Sequence, residues 1–285
     1  MDGLNIIGID LGATNVRGAI VNNGNLSEII ASPIQSQGSE RDVLDDICGI
    51  IDTLVSQQLA KAIGIGVPSM VDVKEGIVYD VQNIPSWKEV HLKHILEEKY
   101  NIPVYINNDA NCFAIGEYYY GKGQGYDSMI GLTQGTGLGA GIIVNKHLYS
   151  GRNCGAGEFG LLPYMDSVLD FYAGGSFFTL TKGINGKEVY QKALQNNAQA
   201  LELYAEYGRH VGYAIKAIMY TYDPELIVLG GSASKGYPFF EKTMWQEINT
   251  LAYPRAVQNL RIEVSALENS GILGAAALYL DSARV

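Results

Sequence analysis

Residues 7–22 read IGIDLGATNVRGAIVN, and residues 130–145 read IGLTQGTGLGAGIIVN. Laid over one another without a gap at a constant offset of 123, they share seven of sixteen positions: Ile, Gly, Gly, Gly, Ile, Val and Asn. In each copy an apolar run enters a glycine-rich polar turn and a second apolar run leaves it, the pattern of a β-hairpin. A duplicated hairpin, one per half, predicts two similar units facing a shared cleft. A chance match between two glycine-rich strand pairs is the competing reading.

Working outward from the first copy, residues 27–34 form a candidate third strand. Ser39 is a candidate N-cap for a helix with Val43, Ile47, Ile50, Ile51 and Leu54 at helical spacing. The run AIGIGVPSM over 62–70 reads as a buried strand. Residues 104–108 form another strand, feeding a helix that begins near Asp109 and stops at Gly121. Beyond the second copy, Tyr204, Tyr207, Val211, Ile215, Ile218 and Tyr222 mark a helical stripe, followed by Asp223-Pro224 and the strand LIVLGG. A small-residue helix over 271–280 closes the chain. Strands alternating with helices predict an α/β class. No linker separates the halves, so the boundary is set near residues 107–109. The expected units are an N-terminal α/β domain over 1–108, joined by the C-terminal helix 271–285, and a C-terminal α/β domain over 109–270.

Composition excludes several classes. With 285 residues, 47% apolar and 18% charged, the chain can bury a large core. Its 34 glycines show no G-X-Y period and it has 8 prolines, so it is neither collagen-like nor a disordered Pro/Gly tract. A net charge of −10 argues against a general nucleic-acid binder, though not against one phosphate in a favourable pocket. Cys48, Cys112 and Cys154 form no C-x-x-C pair and fit a reduced compartment. The start, MDGLNIIGIDLG, is neither signal peptide nor membrane span, so a cytoplasmic protein without membrane association is expected. His91, His94, His147 and His210 lack metal-ligand spacing, and the 19 tyrosines read as packing.

The two turns carry the first chemistry. Gly12 in one, and Gly135 and Gly137 in the other, let backbone N–H groups approach an anion. Thr14, Asn15, Thr133 and Thr136 add side-chain donors, and Asp10 adds a carboxylate suited to a Mg²⁺ shell. Two such turns across a cleft would clamp a nucleoside triphosphate; either alone would pass for a tight hairpin. Neither a Walker A loop nor the G-x-G-x-x-G fingerprint is present.

Asn108 and Asp109 fall where a strand meets a helix, a common ligand position in open α/β sheets. Asp109 is either a helix cap or a general base that takes a proton from an attacking hydroxyl, with Asn108 orienting the acceptor. Glu158, in GAGEFG, and Asp170 are either solvated loop acids or acceptors for sugar hydroxyls. Gly230, Gly231 and Ser232 close a strand with small residues, against which a flat base could lie.

As an ordered set these motifs resemble the ROK family of bacterial sugar kinases and related repressors, nearly end to end. DLGATN (10–15) looks like its first phosphate motif, TQGTGLG (133–139) its second and LGGSAS (229–234) its adenosine motif. Asn108-Asp109-Ala110-Asn111 matches the segment with the catalytic aspartate, and GAGE (155–158) the sugar-binding turn. Asn83-Ile84-Pro85-x-Trp87 is similar to N-L-P-x-W, whose Asn lies near the sugar. The resemblance implies a ribonuclease H-like fold of the actin and hexokinase type: two α/β domains around a central cleft, and a homodimer. The chain departs from the pattern at Leu161, where a histidine is usual, and at Ser69, where Pro-Gly is typical. The stretch PYMDSVLD (163–170) replaces the cysteine-rich zinc loop, and Asp170 replaces a second sugar-contacting Glu. No zinc site is therefore expected.

The resulting expectation is an ATP- and Mg²⁺-dependent kinase that phosphorylates a hexose or N-acetylhexosamine hydroxyl, at C6. Asp109 would be catalytic, and Asn83, Asn108, Glu158, Asp170 and Ser69 would bind sugar. The alternatives are a sugar- or nucleotide-binding protein without catalysis, and a repressor. With the first strand starting by Asn5, no helix-turn-helix is expected before it.

Overall fold

The computed structural model describes residues 4–284. The first three residues of the expected N-terminal domain and the last of the C-terminal helix lie outside the described residues. The first half runs β1 (Asn5–Leu11), β2 (Asn15–Asn22), β3 (Asn25–Leu26), β4 (Ile30–Pro33), α1 (Glu40–Gln57), β5 (Ala62–Val67), β6 (Met70–Asp72), β7 (Ile77–Tyr79), β8 (Glu89–Val90), α2 (Leu92–Tyr100), β9 (Val104–Asn108) and α3 (Asp109–Tyr120). The second half runs β10 (Met129–Gln134), β11 (Leu138–Val144), β12 (His147–Leu148), β13 (Pro163–Tyr164), β14 (Ser167–Val168), α4 (Leu169–Ala173), α5 (Gly186–Leu194), α6 (Ala198–Tyr222), β15 (Leu226–Gly230), α7 (Tyr237–Ile248), α8 (Pro254–Asn259), β16 (Arg261–Val264) and α9 (Ser270–Ser282).

The sequence repeat is a structural one. One sheet has the order β3-β2-β1-β5-β9, with β4 also paired to β2, and the other has β12-β11-β10-β15-β16. In each, the first hairpin strand is antiparallel to its partner and parallel to the strand on its other side. The copies differ in their turns. Leu11 pairs with Val16 across four residues, whereas Gln134 pairs with Leu138 across three. The gapless alignment therefore conceals a one-residue slip: Gly18 faces Ile9, but its counterpart Gly141 faces Gly131.

Local chemistry explains the outer helices. Ser39 caps α1 in a reciprocal capping box with Asp42, and Val43, Ile47, Ile50, Ile51 and Leu54 are buried against the first sheet. Asn197 caps α6, whose stripe from Tyr204 to Ile218 enters the core of the second half. The strand expected over 62–70 ends at Val67, because Pro68 turns the chain and β6 joins a separate three-stranded sheet with β7 and β8. The candidate strand over 27–34 narrows to Ile30–Pro33, and Ser27 instead closes the β2–β3 pairing, its N–H donating to the Ile20 carbonyl at 2.9 Å and its hydroxyl accepting from Ile20 N–H at 3.0 Å.

Two inner helices join the halves. Helix α3 packs on β10 and β11, α9 packs on β1 and β5, and the helices contact one another. The approach is so close that a Cβ on Gly274 would collide with the Cys112 carbonyl, and one on Gly64 with that of Ala275. Both helices are buried around most of their circumference, which gives them little amphipathic pattern.

Candidate active site

Strand β9 ends and α3 begins at the floor of the space between the hairpins. Asn108 is the cap: its side-chain oxygen accepts from Ala110 N–H at 2.8 Å. Asp109, the first helical residue, shares that donor at 2.8 Å and is otherwise open to the cleft. With capping supplied by its neighbour, its second carboxylate oxygen is available to a ligand. Protein surrounds Asp109 on most sides, and this desolvation raises its pKa to about 6, with the negative charges of Asp10 and Glu158 adding to the rise.

Asp10, at the end of β1, is bound to Arg17 across the hairpin, Nη2 to Oδ2 at 2.6 Å. The first turn of α9 abuts it, and a Cβ on Gly271 would stand 2.7 Å from its Cγ. Glu158 is exposed on its glycine-rich turn, and burial of its surroundings together with the charge of Asp170 pushes its pKa up. Asp10, Asp109, Glu158 and Asp170 thus form a chain of mutually repelling acids. Such a chain suits ligands that bring hydroxyl donors and metal-bound phosphates.

Asp170 has a partner that the sequence did not anticipate. Its Oδ1 accepts from Leu138 N–H, and a Cβ on Gly137 would strike the same oxygen. It therefore braces the turn between β10 and β11. Ser69 is also engaged: its hydroxyl donates to the Tyr79 carbonyl, and its own carbonyl accepts from Asn108 Nδ2 at 3.3 Å. Asn83 lies exposed on the turn between β7 and β8. Trp87, fully buried, anchors that turn and donates to the Glu40 carbonyl at 3.4 Å.

The second hairpin turn and the end of β15 meet around a cavity of about 630 Å³ lined by Gly135, Thr136 and Ser232. Gly230 and Gly231, expected to bind nucleotide, do not line it; Gly230 packs against the Phe113 ring. Gly231, at φ +84°, lies against the Gln134 backbone, where a Cβ would not fit. Gly175 N–H donates to the Gly135 carbonyl at 3.0 Å and Ser176 N–H to that of Thr136 at 2.8 Å, fixing the turn. Thr133 donates to the Gly139 carbonyl at 3.3 Å. Thr14 and Asn15 are exposed on the first turn, outside the wall of this cavity. Gly12 closes that turn by donating to the Asn15 carbonyl at 2.9 Å.

Several site residues were missed in the sequence. Arg17 had a usable signal, since hairpin pairing places it directly opposite Asp10. Lys187, Lys235 and Tyr204 also line the cavity, but they come from separate elements and follow no local pattern. Where the zinc loop was expected to be absent, residues 163–168 form a two-stranded hairpin. Tyr164 from it bonds His210 Nδ1 at 3.0 Å, and Tyr172 and Phe177 stack around the same ring. Among the described residues, no three His, Cys, Asp or Glu side chains are grouped to hold a metal ion. No helix among them is long and apolar enough to cross a membrane.

Two sheets of identical strand order, each presenting a hairpin turn to one cleft, define the actin and hexokinase type of α/β protein. The ROK family model matches residues 6–282, and the chain belongs to that family. It is 26% identical to a glucokinase of Thermotoga maritima, over 98% of each chain. It is 27% identical to the xylose repressor of Bacillus subtilis, covering 96% of this chain and 77% of that protein. A ROK family glucokinase from Streptomyces griseus, solved in complex with glucose and AMPPNP, superposes with a TM-score of 0.80 at 26% identity, over 96% of this chain and 98% of that one.

Proposed function

We propose that the protein is an ATP-dependent sugar kinase that transfers the γ-phosphoryl group to a hydroxyl, at C6, of a hexose or N-acetylhexosamine. The observation that carries this reading is Asp109: a carboxylate open to the cleft, relieved of capping by Asn108, with its pKa raised towards neutrality. A general base works best with a pKa near the operating pH. Asp109 would accept the proton of the attacking hydroxyl, while Asn108, Asn83 and Glu158 orient the sugar. The 630 Å³ cavity suits a nucleoside, and Lys187 and Lys235 give its wall the positive charge that the acidic chain otherwise lacks. Backbone groups of the two turns would hold phosphates, so few basic side chains are needed.

The donor set also fits Mg²⁺. That ion takes one or two carboxylates and completes its shell with waters and phosphate oxygens. Asp10 would supply the carboxylate through the oxygen that Arg17 leaves free. Bound there, Mg²⁺ would neutralise charge on the transferring phosphates. We further propose that the halves hinge about α3 and α9, that the protein is cytoplasmic, and that it forms a homodimer.

Asp109→Asn tests the reading in a coupled ADP-release assay with a panel of hexoses and N-acetylhexosamines. Turnover should fall by roughly 10²–10⁴-fold, the usual contribution of a positioned base. Retention of most of the wild-type rate would remove Asp109 from that role. The similarity to a xylose repressor supports a second reading, a sugar sensor without catalysis. Sugar-dependent thermal shifts with no ADP release across the panel would favour it.

A further inference from the structure

The loop that ends in Glu158 lies on β11 of the second half, with Gly157 against the Ala140 carbonyl, and is also fastened to the first half. Asn107, next to last in β9 and 2% exposed, is the fastening point. Its Oδ1 accepts from Asn108 N–H at 2.9 Å, Asn111 Nδ2 at 2.9 Å and Cys154 Sγ at 3.2 Å. Its Nδ2 donates to Ser150 Oγ at 3.1 Å. One buried amide thus ties together the cap of α3, its first turn and two points of the 150–158 loop.

Cys154 makes the attachment apolar as well as polar. It is 3% exposed and packs in the cluster formed by Ile65, Val67, Val71 and Ile106 of the first half. Its sulfur accepts from Asn111 Nδ2 at 3.6 Å. Its φ is +57°, a conformation that suits glycine and disfavours any L side chain. A side chain retained there is one whose contacts hold it in place. Asp170, by contrast, is bonded to the β10–β11 turn.

We propose that Cys154 and Asn107 are positioning residues, which fix Glu158 at a constant distance from Asp109. The two acids then keep their spacing when the halves move, because the loop is held at Asn107 beside Asp109 as well as at β11, where Gly157 lies against the Ala140 carbonyl. The attachment itself is independent of catalysis; only the identity of what Glu158 contacts rests on the kinase reading.

Hydrogen exchange on the full chain without ligand tests it, comparing Cys154→Gly and Cys154→Ser with wild type. Glycine relieves the φ strain and removes the contacts, whereas serine keeps a donor for Asn107. In Cys154→Gly, amides 150–161 should exchange about tenfold faster, as expected for one lost hydrogen bond, with residues 198–222 unchanged and Cys154→Ser near wild type. With ATP and glucose, the KM for sugar should rise while that for ATP stays within about twofold, and serine should restore it. Unchanged exchange over 150–161 in Cys154→Gly overturns the proposal, whatever the kinetics. If wild type releases no ADP with any sugar, the exchange result stands and the kinase reading alone fails. If Cys154→Gly loosens the whole molecule, Ser150→Ala decides: faster exchange confined to 150–161 supports the attachment, and none overturns it.

Discussion

Asp170 accepts a hydrogen bond from the backbone of Leu138, so an acid that follows the Glu158 turn in sequence braces the turn between β10 and β11. The same carboxylate lies beside Gly137 and adds to the negative field at Glu158. It therefore couples the two ends of the cleft electrostatically while being mechanically part of one.

Asp170→Ala should accordingly raise the KM for ATP more than the KM for sugar. Loss of a hydrogen bond to a charged group also removes roughly 1.5–3 kcal/mol of stability, read as a lower urea midpoint. A larger effect on sugar than on nucleotide would contradict the placement.

The pH profile follows from Asp109. The base must be ionised to act, so kcat/KM should rise with pH through about 6 and level off above it. Glu158→Gln removes a neighbouring negative charge, which eases ionisation of Asp109 and moves the acid limb to lower pH. A limb that stays in place would show that another group controls it.

Stability should show the opposite trend. A carboxyl whose folded pKa is raised from 3.8 to about 6 helps the folded state most when protonated, and that help is lost as pH rises through 6. Asp109→Asn should thus gain Tm relative to wild type near pH 8 and show little gain near pH 4. Paired thermal melts at the two pH values decide the sign.

The crossing of α3 and α9 has no spare volume. Gly274→Val would drive a side chain into the Cys112 carbonyl. Overpacking of this kind costs about 1–3 kcal/mol or more, visible in the urea midpoint. Gly49→Ala, on α1 with open space around its Cα, is the control and should be neutral or mildly stabilising.

Tyr164 and His210 hold the segment that stands in place of the zinc loop. Burial lowers the pKa of His210, which favours its neutral ring. Tyr164→Ala should lower Tm, by loss of roughly 2 kcal/mol of packing and hydrogen bonding, while a zinc chelator leaves the wild-type Tm unchanged. A chelator-induced drop would reveal a metal.

The two hairpins, the α1 and α6 helices and the β9–α3 junction were legible in the sequence, because each is written locally. Ser39 announces the start of α1, the cap of α3 falls on Asn108 one residue before the expected Asp109, and the hairpin strands repeat with their glycines. The register of the second hairpin was not legible, since a turn one residue shorter leaves the identity pattern intact. Helix α9 shows little periodicity because protein covers it on nearly every side. Nor does the sequence show that Asp170 reaches Leu138 or that Cys154 reaches Asn107. Those pairs are 32 and 47 residues apart and meet only when the sheets are assembled.

Helix α9 also has a consequence for biosynthesis. The strands of the first sheet are complete by Asn108, yet the helix that covers Ile6, Ala19 and Ala62 begins at Ser270. A nascent first half therefore leaves the ribosome with one apolar face bare, and keeps it bare while the second half is made. Contacts so distant in sequence form late and slowly, and exposed sheet faces are where partly made chains aggregate. The junction that holds the finished halves together is thus also the last part of the molecule to be sealed.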